Sequence, residues 1–193
     1  MPRATAAAKV AVWRQLKKVG AIYLQQSVCV FPDRSEVTAE LTPLLARIAA
    51  SGGEFHLLPL GTLPPDEREK LISEFRTQTA KHYAEIVENC KVDFKREIEF
   101  ETFRKNFTYE EAEEIRAEFD KITAWFERVQ RRDWFGAPKR RDADLWIRKC
   151  RTMLERFEAK VYERQDHGDG RVGTSRNGTG PRTRPPKSST RSL

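Results

Sequence analysis

The feature that most constrains the fold is a run of apolar side chains at helical spacing through the middle of the chain. From Ile72 to Ile98 apolar residues recur at steps of three or four, and the same spacing returns from Ile115 to Val129 and from Ile147 to Val161. These steps average close to the period of an α-helix, about 3.6 residues. Helices with one apolar face must bury it against each other, so residues 64–164 are predicted to form an antiparallel three-helix bundle.

Polar residues mark where these helices begin. Asp66 with Glu69 three residues later, and Thr108 with Glu111, have the spacing of a capping box, in which a short side chain satisfies a free N–H at the start of a helix. The third helix is predicted to start after Pro138, which cannot continue a preceding helix.

The N-terminal part, residues 9–61, has a different pattern. A helix over 9–20 should end at Gly20, and two alternating stretches, "AIYLQ" and "SVCVF", predict a hairpin whose turn lies at Gln25 and Gln26. Ser35 can cap a second helix, and "EFHLLPL", Glu54 to Leu60, predicts a last strand.

The order helix, strand, strand, helix, strand is that of a ferredoxin-like βαββαβ unit lacking its first strand. The chain is therefore predicted to be α+β. Because that first strand is central in this topology, we expect either that an apolar strand precedes the present start or that another chain completes the sheet.

Charge is distributed unevenly along the chain. The net charge is +7, with −6 over residues 66–120 (10 Lys and Arg, 16 Asp and Glu) and +6 over residues 128–164 (12 Lys and Arg, 6 Asp and Glu). Residues 166–193, rich in Gly, Ser, Thr, Pro and Arg, are predicted to be a disordered basic tail. Basic regions attract polyanions through counterion release, so nucleic acid is the natural class of partner.

Two groups of basic residues are the candidate nucleic-acid contacts, although a solvated helix face is the better explanation for any single residue taken alone. The first lies on the first helix and the second around the stretch "RRDWFGAP". The candidates are Arg14, Lys17, Lys18, Arg128, Arg131, Arg132, Lys139, Arg140 and Arg141. In the same stretch Trp134 and Phe135 could stack on a base, but they fit better as aromatics that cap the bundle, and Asp133 should cap or pair with a neighbouring Arg.

Nothing in the sequence points to catalysis, a metal or a cofactor, so no enzyme activity is predicted. The three cysteines and three histidines have no metal-ligand spacing, and we expect reduced, mostly buried thiols. These residues are Cys29, Cys90, Cys150, His56, His82 and His167. No apolar run approaches the roughly 18 residues of a membrane span, which predicts a cytoplasmic protein with no membrane partner.

Two segments together resemble the N-terminal region of the ChrB family of chromate resistance regulators. They are "VAVWRQLKKVGAIYLQQSVCVFPD", Val10 to Asp33, and "ERVQRRDWFGAP", Glu127 to Pro138. The first is also similar to the phenylacetate repressor PaaX family, whereas the second favours ChrB. The resemblance covers residues 9–164 and implies a DNA-binding transcriptional regulator associated with chromate resistance.

The chain departs from the ChrB pattern in three respects. The apolar strand that normally precedes the first helix is missing, Ser27 replaces a glycine of the hairpin, and the C-terminal chromate-resistance half is absent. A chromate response of that half therefore does not carry over. The alternative hypothesis is a non-catalytic interaction or dimerisation module that forms a homodimer or works with a separate chromate-resistance subunit.

Overall fold

The part of the chain that the structure describes is α+β and mostly helical, with one small antiparallel sheet. The computed structural model describes residues 6–25 and 27–169, with side chains described for 9–25 and 27–166. In chain order the elements are α1 (Ala6–Lys18), β1 (Ile22–Gln25), β2 (Val28–Val30), α2 (Ser35–Ala50), α3 (Pro65–Asn89), a π-helical segment (Cys90–Phe94), α4 (Lys95–Arg104), α5 (Tyr109–Arg131) and α6 (Arg140–Asp169).

The long helices form a bundle. The chain runs through α3, the π-helical segment and α4 as one rod, and α5 returns along it: the rings of Tyr83 and Phe126 lie 6.0 Å apart and those of Phe94 and Phe119 lie 5.9 Å apart. Pairs whose residue numbers rise on one helix and fall on the other indicate an antiparallel arrangement. Helix α6 contacts α3, α4 and α5.

The predicted apolar periodicity is confirmed, because nearly all of the predicted positions are buried. All but the first, the half-buried Ile72, are 8% exposed or less. Each such aliphatic or aromatic side chain contributes about 1.5–3 kcal/mol when fully buried. The buried residues are Phe75, Thr79, Tyr83, Ile86, Cys90, Phe94, Ile98, Ile115, Phe119, Ile122, Phe126, Val129, Ile147, Cys150, Leu154, Phe157 and Val161.

One of the three predicted caps is confirmed and two are wrong. Thr108 caps α5, since its hydroxyl oxygen accepts a hydrogen bond from the Glu111 backbone N–H at 3.2 Å. Asp66 does not cap α3, because Pro65 starts that helix with its φ already near the helical value, so Pro64 takes the capping position. Ser35 is the first residue of α2 and its hydroxyl donates to the Glu36 carboxylate instead.

The predicted hairpin is confirmed, although one side chain points the other way. Strands β1 and β2 pair antiparallel, with Ile22 opposite Val30 and Tyr23 opposite Cys29. The register then shifts between Tyr23 and Gln25. This irregularity interrupts the alternation of side chains, so Leu24 is 47% exposed instead of sharing the buried face of Ile22. The turn does not include Gln25 as predicted, because Gln25 is the last residue of β1 and pairs with Val28; Gln26 lies outside the described residues.

Helix α1 ends as predicted at Gly20, whose φ is +80°. The Gly20 N–H donates to the Lys17 carbonyl at 3.1 Å and the Ala21 N–H donates to the Leu16 carbonyl at 3.0 Å, the two bonds of a Schellman motif. This ending places Val19 and Ala21 in a second, smaller core, here called the N-terminal cluster. The cluster consists of Val19, Ala21, Val37, Leu41 and Leu44.

The predicted strand over Glu54–Leu60 is wrong. Residues 54–60 have no regular secondary structure, and Phe55, Leu57, Leu58 and Leu60 are 43–77% exposed. A strand needs a neighbour for its backbone N–H and C=O groups, and the sheet within the described residues contains β1 and β2 alone. The βαββαβ arrangement is therefore incomplete in this structure.

The boundary of the predicted tail also moves. Helix α6 continues to Asp169, so residues 166–169 belong to it, while the remainder of the predicted disordered tail lies outside the described residues. Within the described part of the chain, every helix is too short or too polar to cross a membrane.

Candidate nucleic-acid interface

The α1 basic face consists of Arg14, Lys17 and Lys18. Arg14 and Lys18 are exposed, and the Lys18 ammonium lies 3.9 Å from the Glu40 carboxylate of α2. Lys17 is half-buried, and its ammonium lies 5.2 Å from the centroid of the Trp13 ring. An exposed ion pair at such a distance is weak, so Lys18 can exchange this carboxylate for a phosphate at little cost.

The second group, here called the helix-end basic surface, consists of Arg128, Arg131, Lys139, Arg140 and Arg141. All five are exposed. Arg128 and Arg131 lie in the last turn of α5, where a positive charge is favourable beside the free carbonyls. Lys139 precedes α6 with a left-handed φ of 71°, and Arg140 and Arg141 begin that helix.

Arg132 differs from the other eight candidates because its side chain joins two helices, and like Lys17 it is half-buried. It follows the last residue of α5, and its Nη1 donates a hydrogen bond to the Lys17 carbonyl of α1 at 3.1 Å. Burial, and then the charge of Arg128, lower the pKa of Arg132. Lys17, Arg128 and Arg132 therefore come together, whereas Arg140 turns toward Asp133.

Asp133 pairs with a neighbouring Arg as predicted, but it caps no helix, because its backbone donor, Ala137, lies in the loop before α6. One carboxylate oxygen accepts from the Ala137 backbone N–H at 2.8 Å, and the other accepts from the Tyr83 hydroxyl at 3.1 Å. The Arg140 guanidinium lies 3.9 Å from the second oxygen. The Asp133 side chain is only 2% exposed, so these donors replace the water that a buried carboxylate loses.

The aromatics of the same loop are used in packing. Phe135 lies 5.1 Å from the Phe75 ring, and its carbonyl accepts from Arg76 Nε at 2.9 Å. Trp134 is half-buried against the N-terminal cluster, and its indole N–H is buried without a hydrogen-bond partner among the described residues. Phe135 therefore caps the bundle as predicted, while Trp134 packs on the other unit.

Residues 132–135, the junction segment, thus alternate between two partners. Arg132 and Trp134 contact the N-terminal unit, and Asp133 and Phe135 contact the bundle. Sequence reasoning missed this alternation. No periodic pattern signalled it, because residues 132–135 belong to no strand or helix and form a turn after α5.

A cleft of about 470 Å³ lies beside the junction, between α1 and β1 on one side and α3 on the other. Lys17, Tyr23, Lys81 and His82 are among its lining residues. His82 is half-buried. Burial, and then the charge of Arg132, lower the pKa of its imidazole, although Glu85 opposes this. A neutral imidazole is therefore favoured between the cations.

Two other clusters of chemically versatile side chains lie in the bundle. The carboxylates of Glu97, Glu101 and Glu111 lie within 4.8 Å of one another. Asn106 donates to Glu101 at 2.7 Å and to Glu111 at 3.1 Å, so protein donors already satisfy the buried carboxylate.

The two bundle cysteines, predicted to be core residues, are both fully buried. The Cys150 thiol lies 4.0 Å from the Cys90 carbonyl, and its interaction with Cys90, followed by burial, raises the pKa of Cys150. A thiol held in the protonated form is a poor nucleophile, in keeping with a packing role. Cys29 is half-buried, and burial raises the pKa of its thiol as well.

Comparison with known families identifies most of the chain. The family model described as "Protein ChrB, N-terminal" matches residues 9–168. Neither the curated proteins nor the solved structures contain a match.

Proposed function

Because the chain belongs to the family of the ChrB N-terminal region, we propose that it is a DNA-binding transcriptional regulator of chromate resistance. The family supports the association with chromate-resistance regulation. DNA binding is supported by one observation: the Arg132–Lys17 hydrogen bond joins the last turn of α1, which carries the α1 basic face, to the end of α5, where the helix-end basic surface begins.

Exposed Arg and Lys side chains bind phosphates through charge, and each contact releases condensed counterions from the duplex. The acidic stretch 66–120 would repel the same backbone. DNA is therefore expected against the junction end of the protein and away from the acidic helix faces. The proposed protein is cytoplasmic, works without a cofactor and catalyses no reaction.

The N-terminal unit would approach a ferredoxin-like arrangement if a further strand paired with residues 54–60. Their exposed side chains, Phe55, Leu57, Leu58 and Leu60, would then gain a sheet and a buried face.

The test is a mobility-shift titration of the full chain on the DNA upstream of its own gene, repeated between about 50 and 200 mM salt. A scrambled duplex of the same composition is the control, and each series is run with and without chromate. We expect tighter binding to the upstream DNA and a steep loss of affinity with salt. Equal affinity for both duplexes would contradict a regulatory role, and failure to bind at low salt would contradict DNA binding.

A second candidate function is a non-catalytic interaction module that forms a homodimer or binds a separate chromate-resistance subunit. The exposed apolar side chains of residues 54–60, together with Phe103 at 85% exposure, favour it. Light scattering during size-exclusion chromatography would test for a homodimer. The measured molar mass at micromolar concentration should then be twice that of the single chain.

A further inference from the structure

We propose that Arg132 is a positioning residue, which fixes the α1 basic face relative to the helix-end basic surface so that both reach one DNA duplex. The inference rests on the proposed DNA binding and adds to it. Arg132 then makes no phosphate contact of its own. It contributes to binding by holding Arg14, Lys17 and Lys18 in position.

The C-terminal ends of two helices meet at this residue. Arg132 follows α5 directly, and it donates to the Lys17 carbonyl in the last turn of α1. That carbonyl also accepts from the Gly20 N–H at 3.1 Å. Free carbonyls give a helix C-terminus a partial negative charge, so a guanidinium placed there is held by charge as well as by the hydrogen bond.

The two backbones are also in close approach at this point. A Cβ atom on Gly20 would lie 3.2 Å from the Arg132 Cβ, tighter than ordinary contact. With no side chain at Gly20, the stem of Arg132 lies directly over the turn that ends α1. Sliding or rotation of α1 would therefore break both the hydrogen bond and this packing.

The rest of the junction segment prevents Arg132 from moving with α1. Asp133 is held to α3 by Tyr83, and Phe135 is held there by Phe75. Trp134 adds a second contact to the N-terminal unit. The guanidinium is thus anchored in the bundle, and its contact with α1 sets the orientation of that helix.

Half-burial together with a donor that is already bound argues against a direct phosphate contact by Arg132. Arg132 is half-buried, while the five residues of the helix-end basic surface are exposed. A phosphate could meet only those guanidinium N–H groups that are not bound to the Lys17 carbonyl. The neighbouring Arg131 is exposed on the last turn of α5 and makes the matched comparison.

The test is a set of full-chain variants titrated with the upstream duplex across a salt series. Arg132→Met keeps the packing stem but removes the donor and the charge, Arg132→Lys restores both, and Arg131→Met is the control. A triple variant, Arg14→Gln, Lys17→Gln and Lys18→Gln, removes the α1 basic face and is also combined with Arg132→Met.

If Arg132 positions α1, its Met variant loses the contribution of the whole face. The slope of log affinity against log salt then falls by about 2.7, from three phosphate contacts at about 0.9 each. The triple variant loses the same amount, the combined variant loses no more, and Arg132→Lys recovers most of the slope. For Arg131→Met the slope falls by about 0.9.

Two results together would overturn the proposal and make Arg132 a direct contact. The slope would fall by only about 0.9 in Arg132→Met, and the affinity loss of the combined variant would equal the product of the losses of Arg132→Met and the triple variant. A second measurement does not depend on DNA: hydrogen exchange of the Gly20 and Ala21 amides. It should be faster in Arg132→Met than in the wild type and in Arg131→Met. If the wild type fails to bind DNA, the proposed function fails, and unchanged exchange would then overturn the positioning role separately.

Discussion

The Tyr83 hydroxyl donates a hydrogen bond to the Asp133 carboxylate at 3.1 Å, joining the middle of α3 to the junction segment across fifty residues of sequence. Tyr83 is fully buried, and so is nearly all of the Asp133 side chain. This bond therefore ties the position of the junction to the packing of the bundle core.

Substitution Tyr83→Phe removes the hydroxyl and keeps the ring. We expect it to lower the free energy of unfolding by about 1–3 kcal/mol, because the buried Asp133 carboxylate loses a donor. Urea unfolding followed by circular dichroism measures this change. Tyr109→Phe, at a side chain that is half exposed, is the control and should change stability by less than about 0.5 kcal/mol. A Tyr83→Phe protein as stable as the wild type would contradict the assigned bond.

Tyr83 also predicts a dependence on alkaline pH. Burial, and then the Asp133 charge, raise the pKa of Tyr83 in the folded protein. A tyrosine in the unfolded chain loses its proton near pH 10. The stabilisation by the buried neutral phenol is therefore complete below about pH 10 and is lost as the pH rises beyond it. The difference in unfolding free energy between wild type and Tyr83→Phe should shrink above that pH, and a constant difference would contradict this.

Gly20 is the position where α1 tolerates no side chain without strain. Its φ is +80° and an added Cβ would lie 3.2 Å from the Arg132 Cβ. Gly20→Ala should cost about 1–2 kcal/mol for the left-handed backbone alone, measured by urea unfolding. Gly61→Ala is the matched control, because an added Cβ meets nothing within 4 Å. Equal effects of the two substitutions would contradict the close approach at Gly20.

Thr108 should contribute to stability as the cap of α5. Removing its hydroxyl in Thr108→Ala frees the Glu111 N–H at the start of the helix, at a cost of about 1 kcal/mol. The comparison is Ser35→Ala, whose hydroxyl bonds to the Glu36 side chain and caps no helix. Thermal unfolding should separate the two variants, and an effect of Ser35→Ala as large as that of Thr108→Ala would be inconsistent with these caps.

The carboxylate cluster predicts a stabilising substitution. Burial, and then the negative charges of Glu101, Glu114 and Glu97, raise the pKa of Glu111. A raised pKa means that the ionised form is disfavoured in the folded state, so stability is lost as the pH rises through this pKa. Glu111→Gln keeps an oxygen for Asn106 and removes the repulsion.

We expect Glu111→Gln to raise the unfolding free energy at pH 7 by about 0.5 kcal/mol or less, given solvent screening. The gain should diminish below about pH 4, where glutamates are protonated, and also at high salt. Urea titrations at both pH values measure it. A gain that is the same at both would point to a cause other than charge.

The helices could be predicted from the sequence because their pattern is local. Burial at Phe119, Ile122 and Phe126 follows from one face of one helix meeting any apolar surface. The strand predicted at 54–60 failed for the opposite reason. A strand is stable only with a partner, and whether a partner exists is not encoded in the seven residues themselves.

The candidate site shows the same limit. The sequence placed Arg131 and Arg132 in one group because both are basic and adjacent. The structure separates them, since Arg131 is exposed and Arg132 reaches Lys17, more than a hundred residues earlier in the chain. Whether an arginine is exposed or bound to the protein depends on which carbonyls lie within its reach. Only the packing of the two units determines this.

The π-helical segment Cys90–Phe94 has a consequence for how the length of this chain can change. Each residue advances an α-helix by about 100°, so losing one elsewhere in α3 would rotate all later side chains away from the core. A π-turn already holds about one residue more than an α-turn. Deleting the exposed Lys91 or Val92 should therefore convert the segment to regular α-helix. Ile98 and Glu101 would keep facing α5 and α6, which makes this turn the place where the rod can shorten without losing its partners.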